Sequence, residues 1–195
     1  VVGEDFRFGY KREGDIDTLK KYATEYNYEV IVFKKLRIDD KIISSSFIRE
    51  LLEIGDVQAV DRYMGRPYSI TGEVVYGKQL GRTIGFPTVN IIPDKRKRLP
   101  LAGAYETRVY IEKNDLGYRA ITNVGSNPTV NENADSVNYS GVFVETHILD
   151  YSGNLYGKNI KLDFVRFLRS EIKFANIDEL KKQLEVDKER VNNQI

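Results

Sequence analysis

The chain has 195 residues, 41% of them hydrophobic, which is enough for one large or two small domains with a real core. Its 30 basic and 29 acidic residues leave a formal charge of +1, so nothing draws it generally to nucleic acid or to an anionic membrane, and a phosphate ligand must be met by a local cluster. Cysteine is absent and histidine occurs once, which excludes disulfides and thiolate metal sites and argues against structural zinc.

The chain opens on Val1 and runs at once into VVGEDFRFG, an abrupt strand that needs neighbours to pair with, so further residues are expected ahead of it. The longest apolar runs are far short of a membrane span and no secretory leader is visible, so the expected compartment is the cytoplasm. Between Asp15 and Tyr28, Ile16, Leu19, Ala23 and Tyr26 recur at helical spacing, and EVIVF from Glu29 to Phe33 reads as a buried strand. Strand, helix, strand is the rhythm of a parallel α/β layer.

Ser44, Ser45 and Ser46 precede an apolar helical pattern through Phe47, Ile48, Leu51 and Leu52, which Gly55 can end in the left-handed conformation. Free N–H groups at that helix start, with Arg49 one turn in, could hold an anion; the plainer reading is an N-cap beside a solvated arginine. Asp56 starts a short helix that ends near Met64. Gly65-Arg66-Pro67 then marks the expected domain boundary, because the periodicity beyond it changes from helical to alternating.

Five or six strands follow: Tyr68 to Tyr76, Pro87 to Ile92, Gly103 to Glu112, Tyr118 to Val124, Val142 to Leu149 and Asn159 to Leu168. Strands this regular imply a small antiparallel barrel or sandwich. A helix from about Ile177 to Val191 closes the chain, announced by Asn176 as cap and Glu179 three residues later. Lys95-Arg96-Lys97-Arg98, between two prolines, reads as a solvated basic loop, with attraction of phosphate as the alternative.

Chemistry concentrates in GKQLGRTIGFPTVN, residues 77 to 90. Gly77 and Gly81 let backbone N–H groups approach phosphate oxygens, and Lys78 and Arg82 add charge to that cradle. Thr88 and Asn90 lie two apart, so on an extended segment their oxygens point the same way, as two hard ligands of Mg²⁺ must. The loop is no Walker A motif, since no serine or threonine follows the lysine, and Pro87 forbids a helix running through it.

In VFVETHIL, Phe143, Glu145, His147 and Leu149 share one strand face. A carboxylate there stands at the open end of a barrel or is unusually placed. As a functional group it would be a general base; His147 could serve the same purpose, and the local pattern does not choose between them. Asn123, Asn127 and Pro128 in NVGSNPT, and Arg169 and Glu171 in FLRSEIKF, form loops that could reach a ligand.

Taken in order, GRPYSITGEVVYG, GRTIGFPTVN, GAYETRVY, NVGSNPT, VETHILDYSGNLYG and FLRSEIKF resemble the riboflavin kinase module of bacterial bifunctional FAD synthetase. The resemblance implies a six-stranded antiparallel Greek-key barrel with a C-terminal helix over 65–195, acting on the small molecules riboflavin and ATP with Mg²⁺. It implies Glu145 as catalytic base, Thr88 and Asn90 on the metal, and Gly77, Lys78, Gly81, Arg82 and Asn127 at the nucleotide. Arg169 and Glu171 would belong to a loop that closes over the flavin. Val89 stands where the family usually has alanine and Ala104 where it usually has valine; both swaps are apolar and should touch packing only.

Residues 1–64 resemble the second half of the family's adenylyltransferase, an α/β nucleotidyltransferase domain, through VVGEDFRFG and ISSSFIRELLEIGDV. In that module Ser44, Ser45 and Arg49 would serve the phosphates of a second ATP. Its His-x-Gly-His signature is absent here, so FAD formation is not expected of the sequence as it stands. The alternative from another functional class is a non-catalytic flavin- or nucleotide-binding module.

Overall fold

The computed structural model describes residues 1–77, 79–111, 116–126 and 142–193, with the side chains of 126, 142 and 143 excepted. Lys78, Asn127 and Pro128 lie outside the described residues. The chain packs as two compact units, Val1–Ile48 and Arg49–Ile195.

In the first unit, strand β1 (Val2–Gly3) pairs in parallel with β2 (Val32–Phe33), and helix α1 (Ile16–Ala23) lies between them in sequence. Asp15 caps α1 by accepting from the Thr18 backbone N–H at 2.9 Å, and Arg7 holds the same carboxylate. The parallel pairing agrees with the strand–helix–strand rhythm. The buried strand does not: Ile31 is 45% and Phe33 63% exposed, because a two-stranded sheet offers the EVIVF side chains no second layer to pack against. A hairpin of β3 (Arg37–Ile38) and β4 (Lys41–Ile42) was not legible as strands; Asp39 and Asp40 turn it with φ of 49° and 61°, the left-handed pair of a two-residue hairpin.

Helix α2 (Ser45–Glu53) begins where the Ser44 hydroxyl accepts from the Phe47 N–H at 3.2 Å. Gly55 follows with φ 77°, and Asp56 caps α3 (Val57–Met64), which Gly65 closes at φ 68°. Leu52, Val57 and Val60 are buried in the second unit, where α3 packs on the barrel.

The rest of that unit is a closed six-stranded antiparallel barrel: β5 (Tyr68–Val75), β6 (Val89–Pro93), β7 (Gly103–Tyr110), β8 (Tyr118–Ser126), β9 (Val142–Ile148) and β10 (Asn159–Arg169). The spatial order β10-β5-β6-β9-β8-β7 places β10 back beside β7, a Greek-key return. A one-turn helix α4 (Leu80–Thr83) and the C-terminal helix α5 (Ile177–Asn192) complete the unit. Asn176 caps α5 through the Glu179 N–H at 2.9 Å, and the Glu179 carboxylate reaches back to the Ala175 N–H.

Alternation sends Ile70, Val74, Ile91, Tyr105, Val109, Val124, Val144, Leu162 and Phe164 into the barrel, all nearly inaccessible to solvent. Three hydroxyls join them: Thr107 to Thr122 at 2.7 Å and Thr122 to Thr146 at 2.9 Å, so the buried oxygens satisfy one another. A one-residue slip of β9 would break this chain and turn Glu145 inward. The interior therefore fixes which residues face outward.

Candidate active site

The outward faces form a ladder. In register, Val75 lies opposite Asn90, Asn90 opposite Glu145, Glu145 opposite Asn123, Asn123 opposite Ala104, and Ala104 opposite Arg169. Side chains directly opposite on an antiparallel pair have Cβ atoms about 5 Å apart, so Asn90, Glu145 and Asn123 form one row. Thr88, two residues before Asn90, joins that row from the side: its hydroxyl donates to Glu145 Oε1 at 2.6 Å. The Glu145 carboxylate thus stands on the outer barrel wall, and not at an open end. The wall is half-buried there because α5 and α4 cover it, with Ile121, Leu149 and Val191 packed together beside the row.

Glycine shapes the approach. A Cβ built on Gly77 would lie 1.9 Å from Asn90 Nδ2, and one built on Gly81 would lie 2.1 Å from the Phe86 carbonyl oxygen. Both glycines are therefore required by close packing, one against the Asn90 amide and one against backbone. The segment was expected as loop and strand; α4 instead forms one helical turn ahead of Gly85, and Gly81 O accepts from the Phe86 N–H at 2.8 Å. Pro87 then starts the extended run into β6. Arg82, in this turn, is exposed.

Two cavities meet at the ladder. The larger, about 830 Å³, is lined by Tyr76, Asn90, Ile92, Leu101, Val124 and the Lys95–Arg98 loop among others. The basic loop is solvated and also anchored: Arg98 pairs with Glu53 at 2.7 Å, Arg96 with Asp94 at 2.8 Å, and the Lys97 ammonium sits 4.1 Å above the Tyr68 ring. Tyr76 stacks on Tyr156 at the rim, with ring centroids 3.7 Å apart. The smaller cavity, about 170 Å³, contains Thr88, Asn123, Glu145 and His147 and is walled by Ile84, Phe86, Ile172, Phe174, Leu180 and Leu184. Asn90 touches only the first and Glu145 only the second, so the ladder is the partition between them.

His147 is 8% exposed, with Nδ1 2.8 Å from the Pro87 carbonyl oxygen and its ring against Phe86. Burial pushes its pKa below the usual imidazole range, the hydrogen bond to Pro87 opposing in part. Arg169 ends β10 beside the smaller cavity, but its guanidinium is fastened to the fully buried Asp187 of α5 at 2.8 and 2.9 Å, and Gln183 holds the same carboxylate at 3.0 Å. Glu171 is exposed at the cavity rim. Ser44 is the cap of α2, Ser45 is exposed in its first turn, and Arg49 lines the larger cavity.

Sequence reasoning placed Asn123 both near the end of the Tyr118–Val124 strand and in the loop NVGSNPT. β8 in fact extends to Ser126 and puts Asn123 in register with Glu145; the alternation of Ala120, Thr122 and Val124 carried that signal. Asp187, one charge in a charged helix, gave none.

The thiol-free, histidine-poor composition leaves no group of three His, Asp or Glu side chains placed to hold a metal among the described residues. The oxygens of Thr88 and Asn90 offer a different kind of site, two neutral hard donors beside a carboxylate. Among the described residues, no helix is long and apolar enough to cross a membrane.

Comparison with known proteins agrees with this architecture. Residues 64–195 match the riboflavin kinase family model, and residues 1–47 match the FAD synthetase model. The bifunctional riboflavin kinase/FMN adenylyltransferase of Haemophilus influenzae is 36% identical over 188 residues, covering 96% of this chain and 58% of that protein. The protein of the same name from Bacillus subtilis is 35% identical, covering 97% of this chain and 58% of its own length. The chain therefore spans somewhat over half the length of the curated relatives it matches. A crystal structure titled as a macrolide-efflux protein from Streptococcus pneumoniae superposes with a TM-score of 0.80 at 30% identity, over 99% of this chain and 59% of that one. On the family match across its whole barrel, the chain belongs to the riboflavin kinase family.

Proposed function

We propose that the barrel unit transfers the γ-phosphoryl group of ATP to the ribityl 5′-hydroxyl of riboflavin, giving FMN and ADP. The observation that carries this reading is the Thr88–Glu145 contact of 2.6 Å, with Asn90 directly opposite Glu145, on the partition between two cavities. Phosphoryl transfer asks little covalent chemistry of the protein; it asks for alignment, charge neutralisation and one group to take a proton.

The larger cavity, with its basic loop and its tyrosine stack, would take the nucleotide, its triphosphate running towards Asn90. The apolar smaller cavity would take the flavin, its ribityl chain ending at Glu145. At about 170 Å³ that cavity is below the roughly 300–1,000 Å³ of small-molecule sites, so the segment from Glu171 to Phe174 must open to admit the ring. Glu145 Oε1 is occupied by Thr88; Oε2 makes no hydrogen bond among the described residues and would accept the 5′-hydroxyl proton. The new bond joins the 5′-oxygen to the γ-phosphorus as the bond to the β,γ-bridging oxygen breaks, and ADP leaves with that electron pair.

Mg²⁺ fits the donor set. Mg²⁺ is commonly held by one or two protein oxygens with substrate phosphates and water completing its shell. Thr88 donates its hydrogen to Glu145 and keeps its lone pairs, and Asn90 is pressed into place by the Cβ-free Gly77. The ion would neutralise charge on the β- and γ-phosphates. Gly81 and Arg82, with Lys78, would cover the phosphates, Asn127 would lie near the nucleotide, and Arg169 and Glu171 would border the flavin, Arg169 held in place by Asp187.

The functional module is proposed to begin at Gly65, with 1–64 as the adenylyltransferase portion. In a chain carrying the remainder of that domain, Ser44, Ser45 and Arg49 would serve the second ATP, and the product would be FAD.

Incubation with riboflavin, ATP and Mg²⁺ should yield FMN and ADP in equal amounts. Glu145→Gln should bind both ligands while kcat falls by about 10²–10⁴-fold. Flavin and nucleotide binding by the unaltered protein without any FMN would favour the non-catalytic module.

A further inference from the structure

Resting on the kinase reading above, we propose that His147 is a positioning residue that acts through the Pro87 carbonyl to hold Thr88 against Glu145. The β6–β9 pairing runs from Ile91–Val144 through Val89–Thr146 and stops there, leaving Thr88 and His147 just past the last backbone pair. Beyond this point a further rung is hindered, because Pro87 has no N–H to give. Its carbonyl oxygen follows the buried Phe86 and, with no backbone rung across from it, is open to another donor. The imidazole supplies one at 2.8 Å, in place of a backbone group.

The consequence reaches the reacting atoms. Phe86, Pro87 and Thr88 connect the α4 turn to β6, and two hydrogen bonds hold this connection to β9 among the described residues, Thr88 Oγ1 to Glu145 Oε1 and His147 Nδ1 to Pro87 O, while Phe86 packs its ring on that of His147. The first is the contact that the metal and the substrate hydroxyl would perturb. The second is independent of both ligands, since a carbonyl next to a proline ring has no part in the transfer. His147 therefore keeps the strand end in place while Thr88 and Glu145 work.

A carbonyl can only accept, so Nδ1 must carry the hydrogen, and in the neutral ring Nε2 then carries the lone pair. This separates His147 from the competing role of general base at the cavity. A base acting through Nε2 would be lost in any substitution, whereas a positioning donor at Nδ1 can be replaced. The asparagine amide nitrogen branches from the same atom as Nδ1, and the glutamine amide nitrogen reaches the place of Nε2.

His147→Asn is expected to retain kcat near that of the parent. His147→Ala and His147→Gln should lose about 10- to 100-fold in kcat, the scale of a misplaced reacting group, while KM for ATP holds. Melting midpoints for all three show which are folded at the assay temperature. A folded His147→Asn as slow as His147→Ala overturns the proposal, and so does parental kcat in His147→Ala. The ring itself gives a readout that does not depend on turnover: His147 is the sole histidine, so ¹⁵N imidazole spectra of the untagged protein at neutral pH need no assignment. A hydrogen on Nδ1 is expected; the Nε2–H tautomer, which leaves Nδ1 without one, refutes the Pro87 contact. Should the parent protein form no FMN, the kinase reading fails by itself, and these spectra still decide the contact.

Discussion

Replacing Gly77 by alanine tests the metal half of the site without touching a ligand residue. The added Cβ would stand 1.9 Å from Asn90 Nδ2 and 2.7 Å from its Cγ, where ordinary contact begins at 3.4 Å. The Asn90 amide must therefore retreat by about 1.5 Å, and it has only two side-chain torsions with which to do so. Gly77 does not have a left-handed φ, so the backbone accepts alanine and the strain falls on the side chain. Mg²⁺ demands near-octahedral oxygens at about 2.1 Å, a tolerance far smaller than this displacement. A misplacement of about 1 Å is worth roughly 100-fold in rate, so kcat should fall by that order, and the Mg²⁺ concentration for half-maximal rate should rise. The melting midpoint should change little. A coupled ADP-release assay with an Mg²⁺ titration reads both constants. Parental kcat and Mg²⁺ dependence in a folded Gly77→Ala protein would refute the assignment of Asn90 to the metal.

Thr88→Val removes the hydroxyl at nearly constant shape; kcat should fall by about 100-fold, whereas Thr88→Ser, which keeps the oxygen, should recover most of it in the same assay. Asp187→Ala leaves the Arg169 guanidinium, whose side chain is 15% exposed, without its buried carboxylate. That should destabilise the barrel unit by about 3 kcal/mol, lowering its calorimetric midpoint by roughly 10 °C, and an unchanged midpoint would show that α5 is held by its apolar face alone.

The barrel was legible because its inward rows are apolar and its outward rows are not. Tyr68, Ile70 and Val74 against Ser69, Thr71 and Glu73 give a strand and a face in one reading. The C-terminal helix was equally plain, since Asn176 and Glu179 form their cap within four residues and need nothing distant. What escaped depends on partners far along the chain. Asp187 meets Arg169 only because α5 folds back on β10, and local sequence cannot price that return. Ile31 and Phe33 failed in the other direction: an apolar run reads as buried whatever stands opposite it, and here little does.

The same distinction decides between the two placements that the sequence left open for Glu145, an open barrel end or an unusual position. Its strand face was read as shared with His147 and Leu149, an apolar setting that fits either. Leu149 is indeed buried, but by α5 from outside, so the second wall around the carboxylate comes from the last helix and the α4 turn. The row proposed as catalytic is carried on paired strands, which position side chains more closely than loops do, while the covering pieces are a one-turn helix and a connecting segment. On the proposed reading, the opening that admits a flavin falls on the covering segment from Glu171 to Phe174 and not on the strands. Under the proposed assignment the arrangement also separates the two substrates: the larger cavity adjoins Asn90 and the smaller one Glu145, and the short row lies between them.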